Sequence, residues 1–392
     1  MPQDHFGTPP MATYKNLLFT NGQIITPDQV FSGTVSIADG MIADVQPTRA
    51  ASPGAIDLDG DFLLPGLVEI HTDNLEKYIR PRPGVEWPII PALLAHDAQV
   101  AATGITTVLD AVRIGSSIND LGRATVFAQI LEGIQAGRDT SIFRSDHFIH
   151  MRCEIGDPEA GELFLAAHTN KLIRLVSIMD HTPGQRQFAD LARYRKTYGY
   201  AAGMTNDDID SFITQAQELQ ARHAEPNRRI IAESALRQGI AVASHDDTTL
   251  DHIHEAVDLG ISISEFPTTI ASAKAARQHG MGTVAGAPNL VRGGSHSGNV
   301  AALELAKLGL LDALSSDYMP ISLLHGAFIL HWQGNIPLPQ AIASATSTPA
   351  RLAGFKDRGA IAVGQRADFL RVQIVNQVPV VKEVWCSGLR VA

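Results

Sequence analysis

Histidines and carboxylates recur along this chain at spacings suited to holding a divalent cation. The first pair is His71 and Asp73, in Pro65-Gly66-Leu67-Val68-Glu69-Ile70-His71-Thr72-Asp73. An apolar strand runs into them, and strand side chains alternate faces with period 2. Leu67, Glu69, His71 and Asp73 therefore share one face, and the last two can reach one ion. Asp73-Asn74-Leu75-Glu76 also has the form of a capping box, with Asp73 as the helix N-cap. Both readings of Asp73 stand on these residues. Further groups follow the same form: His150-Met151-Arg152-Cys153-Glu154, Met179-Asp180-His181, Ser244-His245-Asp246-Asp247, Glu265-Phe266-Pro267 and Ser315-Ser316-Asp317-Tyr318. Burying so many ionisable groups together is costly unless something compensates them. A divalent cation does so, and pairs of cations are common in hydrolytic sites. A mixed histidine and carboxylate set suits zinc, and also Mn or Fe(II).

These groups sit at the ends of apolar segments that read as strands. The candidates are Leu67–Asp73, Ile105–Ala111, His147–Glu154, Ile173–His181, Ile240–Asp246, Ile261–Glu265, Gly282–Gly286 and Ala313–Asp317. Helical stretches lie between them, among them Ile89–Thr103, Ile118–Ala136, Asp207–Arg222, Arg228–Gln238 and Val300–Leu308. Strands alternating with helices imply a parallel sheet, and eight of them imply a closed barrel, whose C-terminal face carries the chemistry. Residues 14–62 and 357–392 read instead as short strands with turns, Asp39-Gly40 being a strong hairpin signal. The expected organisation is a (β/α)8 TIM barrel over 63–356, with a small composite β-sandwich domain formed by the N- and C-terminal segments (14–62 and 357–392). Residues 1–13 read as a flexible leader with no secretory pattern.

Bulk properties narrow the function. The net charge of −10 argues against non-specific nucleic-acid binding. No apolar run reaches the ~18 residues needed to span a bilayer. Only Cys153 and Cys386 occur, which excludes a disulfide framework and suits a reducing cytoplasm. Gly294-Ser295-His296-Ser297-Gly298 has histidine where a serine-hydrolase elbow needs its nucleophile, and no Walker A motif is present.

The whole pattern resembles the amidohydrolase superfamily of metal-dependent barrels with a small β-sandwich. Its first-strand signature, Pro-Gly-x-x-Asp-x-His-x-His, is met here with Glu69 and with Asp73 in place of the second histidine. Thr348-Pro349-Ala350-Arg351-Leu352, Asp357-Arg358-Gly359-Ala360-Ile361 and Gly364-Gln365-Arg366-Ala367-Asp368 match its C-terminal signature. Longer segments are similar to one branch of it: Glu69 to Lys77, Met179 to Phe188, Ala243 to Asp247, Glu265 to Thr269 and Gly286 to Asn299. That branch removes diphosphate from the 5-triphosphate of a ribose 1-alkylphosphonate, downstream of other enzymes of phosphonate catabolism.

The resemblance implies metal ligation by His71, Asp73, Glu154, His181, His245 and Asp317. Glu154 would be the bridging carboxylate and Asp317 the catalytic proton acceptor. It implies one or two divalent ions, zinc first, with Mn or Fe as alternatives. It also implies a small phosphorylated sugar phosphonate as substrate, a cytoplasmic homodimer, and no nucleic acid or membrane partner. Lys77, Arg80, Arg82, Arg152, Arg186, Arg292, Ser295 and His296 would meet the substrate, since guanidinium groups and Gly/Ser loops suit phosphate oxygens. The roles of His150, His296 and His325 stay open between substrate contact, ligand and plain structure. Two other readings keep the fold: hydrolysis of an amide C–N bond, and a non-catalytic scaffold.

Overall fold

The computed structural model describes residues 16–48, 52–115, 123–196, 204–295 and 298–392. His296 and the stretch 1–13 lie outside them. Eight parallel strands form one sheet: β1 (Leu67–Thr72), β2 (Ile105–Ile114), β3 (Asp146–Glu154), β4 (Ile173–Met179), β5 (Ala241–His245), β6 (Ile263–Glu265), β7 (Gly282–Gly286) and β8 (Ala313–Ser315). Each pairs with the next in chain order. The ring closes where Thr72 forms a parallel bridge with Asp317. There the Asp73 amide donates to the Asp317 carbonyl at 2.9 Å, and the Asp317 amide to the His71 carbonyl at 3.0 Å. The barrel anticipated from the alternating pattern is therefore present.

The strands are short and buried because they must be. Leu67, Val68, Ile70, Ile105, Val108 and Leu109 are fully buried, as parallel strands covered on both faces require. Helices stop where the chain reverses. The helix before β5 ends at Arg237 with Gln238 as its cap, and Gly239 (φ 70°) takes the left-handed position that closes it. Several functional side chains lie just past a strand end rather than in it. Asp246 and Asp317 both have positive φ, at 56° and 53°. This backbone is uncommon for non-glycine residues and tends to persist at functional sites.

A second, mixed sheet of eight strands is built by both chain ends. Phe62–Pro65 lies antiparallel to Phe369–Val375, with Pro65 opposite Phe369, and runs directly into β1. The Asp39-Gly40 turn has φ of 51° and 76°, the left-handed pair expected of a type I′ hairpin. Phe19, Trp385 and Phe369 pack edge to face at the centre, with ring centroids 4.8 and 5.6 Å from Phe19.

One expectation is corrected. The two helices read at 207–222 and 228–238 are a single helix, Asn206–Arg237, that passes through Pro226. Thr205 and Asp208 form a capping box at its start. Asn227 donates to the carbonyls of Ile155 (3.0 Å) and Asp157 (2.7 Å), and Ile231, Ala232 and Ala235 bury a continuous face beyond the proline. That packing offsets the lost hydrogen bond. Among the described residues, no helix is long and apolar enough to cross a membrane.

Candidate metal centre

Three histidines converge at the C-terminal mouth of the barrel, each with a glutamate behind it. His71 Nδ1 lies 2.7 Å from Glu265 Oε1, and His245 Nδ1 lies 2.8 Å from Glu265 Oε2. His181 Nδ1 lies 2.8 Å from Glu154 Oε2, while Glu154 Oε1 accepts the His181 amide at 2.9 Å. Carboxylates accept and do not donate, so each Nδ1 carries a proton, and Nε2 is the nitrogen left to offer a lone pair to metal. All three Nε2 atoms face forward, toward aspartates. Asp73 Oδ1 is 3.7 Å from His71 Nε2. Asp246 Oδ2 is 3.7 Å from His181 Nε2 and 3.5 Å from His245 Nε2.

These separations are too long for hydrogen bonds. They match the edges of a tetrahedral shell, where ligands at ~2.1 Å from an ion stand about 3.4 Å apart. Asp246 Oδ2 is also buried with no hydrogen-bond partner. An acceptor stranded beside two imidazole lone pairs is unfavourable without a cation. The donor set thus fits divalent metal. Two groups share the mouth: His71 with Asp73 and Asp317, and His181 with His245 and Asp246.

Electrostatics sharpen the roles. Burial raises the Asp317 carboxyl above its ordinary value, which suits a proton acceptor. Against the effect of burial, Arg152 holds Asp73 down to about 2, with Nη1 donating to Asp73 Oδ1 at 2.5 Å. Glu69 is fully buried and binds no histidine side chain. Its Oε1 accepts the His71 amide at 2.6 Å and its Oε2 the Ser316 amide at 2.5 Å. It ties the end of β1 to the loop that carries Asp317. Burial lifts its carboxyl to about 7.

The structure brings together His71, Asp73, His181, His245 and Asp317. Glu154 is in neither ligand group: its two oxygens accept from the His181 ring and amide. Asp246 stands there instead. Its place in Ser244-His245-Asp246-Asp247 was legible, but its inward turn depends on a positive φ that strand periodicity does not foresee. Asp73 makes no side-chain cap bond to the following helix.

The basic residues divide. Arg152, Arg292 and Ser295 line a cavity of about 290 Å³ over the mouth, with Asn289, Asn299 and Tyr318. Lys77 reaches the Tyr318 carbonyl at its edge. Arg186 is turned inward, donating to the His245 carbonyl (2.9 Å) and Asp247 (2.7 Å), so it braces the β5 loop. Arg80 is exposed and pairs with Glu86 at 3.3 Å, and Arg82 is exposed beside it. His150 is fully buried behind His71, and His325 meets the backbone of Pro379 in the second sheet.

A model of the amidohydrolase family matches residues 158–391. The chain belongs to the amidohydrolase family. This amidohydrolase is 42% identical over 377 residues to alpha-D-ribose 1-methylphosphonate 5-triphosphate diphosphatase of Escherichia coli (strain K12), spanning 96% of this chain and 100% of that one. Its fold is similar to that of N-acetylglucosamine-6-phosphate deacetylase from Pasteurella multocida (TM-score 0.62, 13% identity, 95% of this chain and 99% of that one). It is similar too to dihydropyrimidinase from Brevibacillus agri (TM-score 0.61, 14% identity, 96% and 95%). At such identity these two likenesses concern the fold alone.

Proposed function

We propose that this amidohydrolase is a metal-dependent diphosphatase. It would cleave alpha-D-ribose 1-methylphosphonate 5-triphosphate to the 5-phosphate and diphosphate. The observation that carries this reading is the 42% identity to the Escherichia coli diphosphatase across nearly the whole of both chains. The cavity above two ligand groups, lined by Arg152, Arg292 and Ser295, supports it.

Divalent cations held there, zinc first and Mn or Fe(II) as alternatives, supply a nucleophile at neutral pH and neutralise charge on phosphoryl oxygens. His71, Asp73 and Asp317 would hold one, and His181, His245 and Asp246 the other. Glu154 and Glu265 orient the rings from behind. Asp317 takes the proton from the attacking water. Arg292, Arg152 and Ser295, with Lys77 at the edge beside Tyr318, would position the triphosphate, since phosphoryl transfer depends mainly on positioning and charge. Arg186 keeps the His245 loop in place, and Arg80 and Arg82 lie outside the machinery. The reading extends to a cytoplasmic homodimer that acts after the enzymes which build the triphosphate.

Phosphorus NMR of the metal-loaded protein with a ribose 1-phosphonate 5-triphosphate tests the reaction. Stoichiometric diphosphate is expected. Release of orthophosphate, or preferential turnover of a cyclic amide, would overturn it.

A further inference from the structure

Glu265 stands within ligand distance of His71 and His245, so these three side chains alone make a possible cation site. The hydrogen bonds assign it a different task. Its Oε2 accepts from His245 Nδ1 (2.8 Å) and from the Ser177 hydroxyl (2.7 Å), and its Oε1 from His71 Nδ1 (2.7 Å). Ser177 Oγ lies 2.6 Å from His150 Nε2. The serine has one proton and gives it to Glu265. It must then accept from His150, which fixes the proton of that ring on Nε2. His150 Nδ1 is left bare, buried and without a partner. The chain of donors therefore has one direction: His150 to Ser177 to Glu265, met from the other side by both front histidines. The His71 and His245 rings lie nearly parallel (15°) with centroids 5.8 Å apart, as two rings hung from one carboxylate would.

We propose that Glu265, backed by Ser177 and His150, is a positioning residue that locks His71 and His245 in the same tautomer. It is not itself a ligand. Five strands contribute one member each: His71 from β1, His150 from β3, Ser177 from β4, His245 from β5 and Glu265 from β6. The lock sits in the rigid barrel interior rather than in the mouth loops. Orientation of ligand histidines by an outer carboxylate fixes which nitrogen is free for metal. The inference rests on the metal reading of the mouth, but the tautomers are measurable without metal.

The test uses the full chain with 15N-labelled histidine, metal-free and loaded with cadmium-113. In the metal-free protein, His71 and His245 should carry their proton on Nδ1, and His150 on Nε2. With cadmium, coupling should appear at Nε2 of His71 and His245, with Nδ1 still protonated. Coupling at Nδ1, or an Nδ1 without a proton on either ring, would overturn the proposal. If the wild-type chain takes up no cadmium, the metal reading fails, and the metal-free spectrum still decides the lock. Glu265→Gln must turn an amide donor on one of the two rings, so one should flip its tautomer. Metal affinity should then fall about 10–100-fold. Unchanged affinity with unchanged tautomers in that variant would remove Glu265 from this role. Ser177→Ala should free the His150 tautomer while leaving the other two rings as they are.

Discussion

Two histidine–aspartate clusters lie in the same barrel, and they are built of the same side chains. One is at the mouth. The other is sealed in the wall, where His96, Asp97, Asp110 and His147 are fully buried. In the wall every ring nitrogen is used. His96 Nε2 meets Asp110 Oδ1 at 2.7 Å, and its Nδ1 takes the Asn74 amide at 3.0 Å. His147 bridges Asp110 (2.8 Å) and Asp97 (3.4 Å). Asp97 also accepts the amides of Arg144 and Ser145, at 2.9 and 3.0 Å. At the mouth only the rear nitrogens are used, and the front ones stand 3.5–3.7 Å from carboxylate oxygens. Residue type does not make a ligand set. An unsatisfied lone pair, aimed at another, does. The wall cluster is a closed ion network that supports Asn74, the first residue of the helix after Asp73.

The contrast can be broken in several ways, taken from the largest effect down. Asp317→Asn at the mouth should lower kcat by about 10³-fold, the scale of a lost general base, with the fold and most metal binding retained. Wild-type turnover in that variant would remove Asp317 from the chemistry. In the wall, Asp110→Asn removes the carboxylate that pairs with both His96 and His147, leaving His147 only its longer contact with Asp97, and should cost about 3–5 kcal/mol of stability. Urea melts should show this while bound metal stays stoichiometric. Loss of metal from that variant would make the wall a ligand site and end the comparison. Dialysis against a chelator should lower stability by about 2.7 kcal/mol relative to protein held at a free ion concentration 100 times its Kd. The Asp110→Asn protein should show the same increment if the two clusters are independent.

The pH dependence separates the clusters further. Burial disfavours a charged His147, but Asp110 and Asp97 outweigh it and lift the ring from 6.5 to about 9. A raised folded value stabilises the protein fully below about 6.5, and this contribution is lost as pH rises through about 9. Urea midpoints measured across that window should fall, and His147→Gln should flatten this part of the curve. The smallest effect belongs to the rim. Arg80→Ala should change stability by no more than about 0.5 kcal/mol and leave KM alone, because its partner Glu86 is exposed. A raised KM would put Arg80 back at the substrate.

Much of this was legible before the fold was known. All eight strands could be read from apolar runs closed by polar residues, because a parallel strand buried on both faces must be apolar until it reaches the mouth. His71, Asp73, His181, His245 and Asp317 could be found at those ends. Glu154 shows a limit of such reading. A strand-end carboxylate that ligates and one that orients a ligand have the same sequence position, and differ only in which atom their neighbour presents. Arg186 shows another: it follows a strand end, and its backbone has a positive φ of 44° with the side chain donating to Asp247. The stretch 207–238 read as two helices, because the packing of Ile231 and Ala235 that carries one helix through Pro226 is not visible in sequence.

The sequence by itself determined the barrel, the sheet built from both chain ends and the chemical kind of the mouth, because periodicity and turn chemistry act over a few residues. Tertiary structure alone decided which nitrogen of each histidine is bare, which aspartate faces it, and which of two similar clusters is already satisfied. Those outcomes depend on contacts such as Glu265 with His71, 194 positions apart. Hydrogen-bond saturation is a property of neighbours in space, and no local pattern along the chain encodes it.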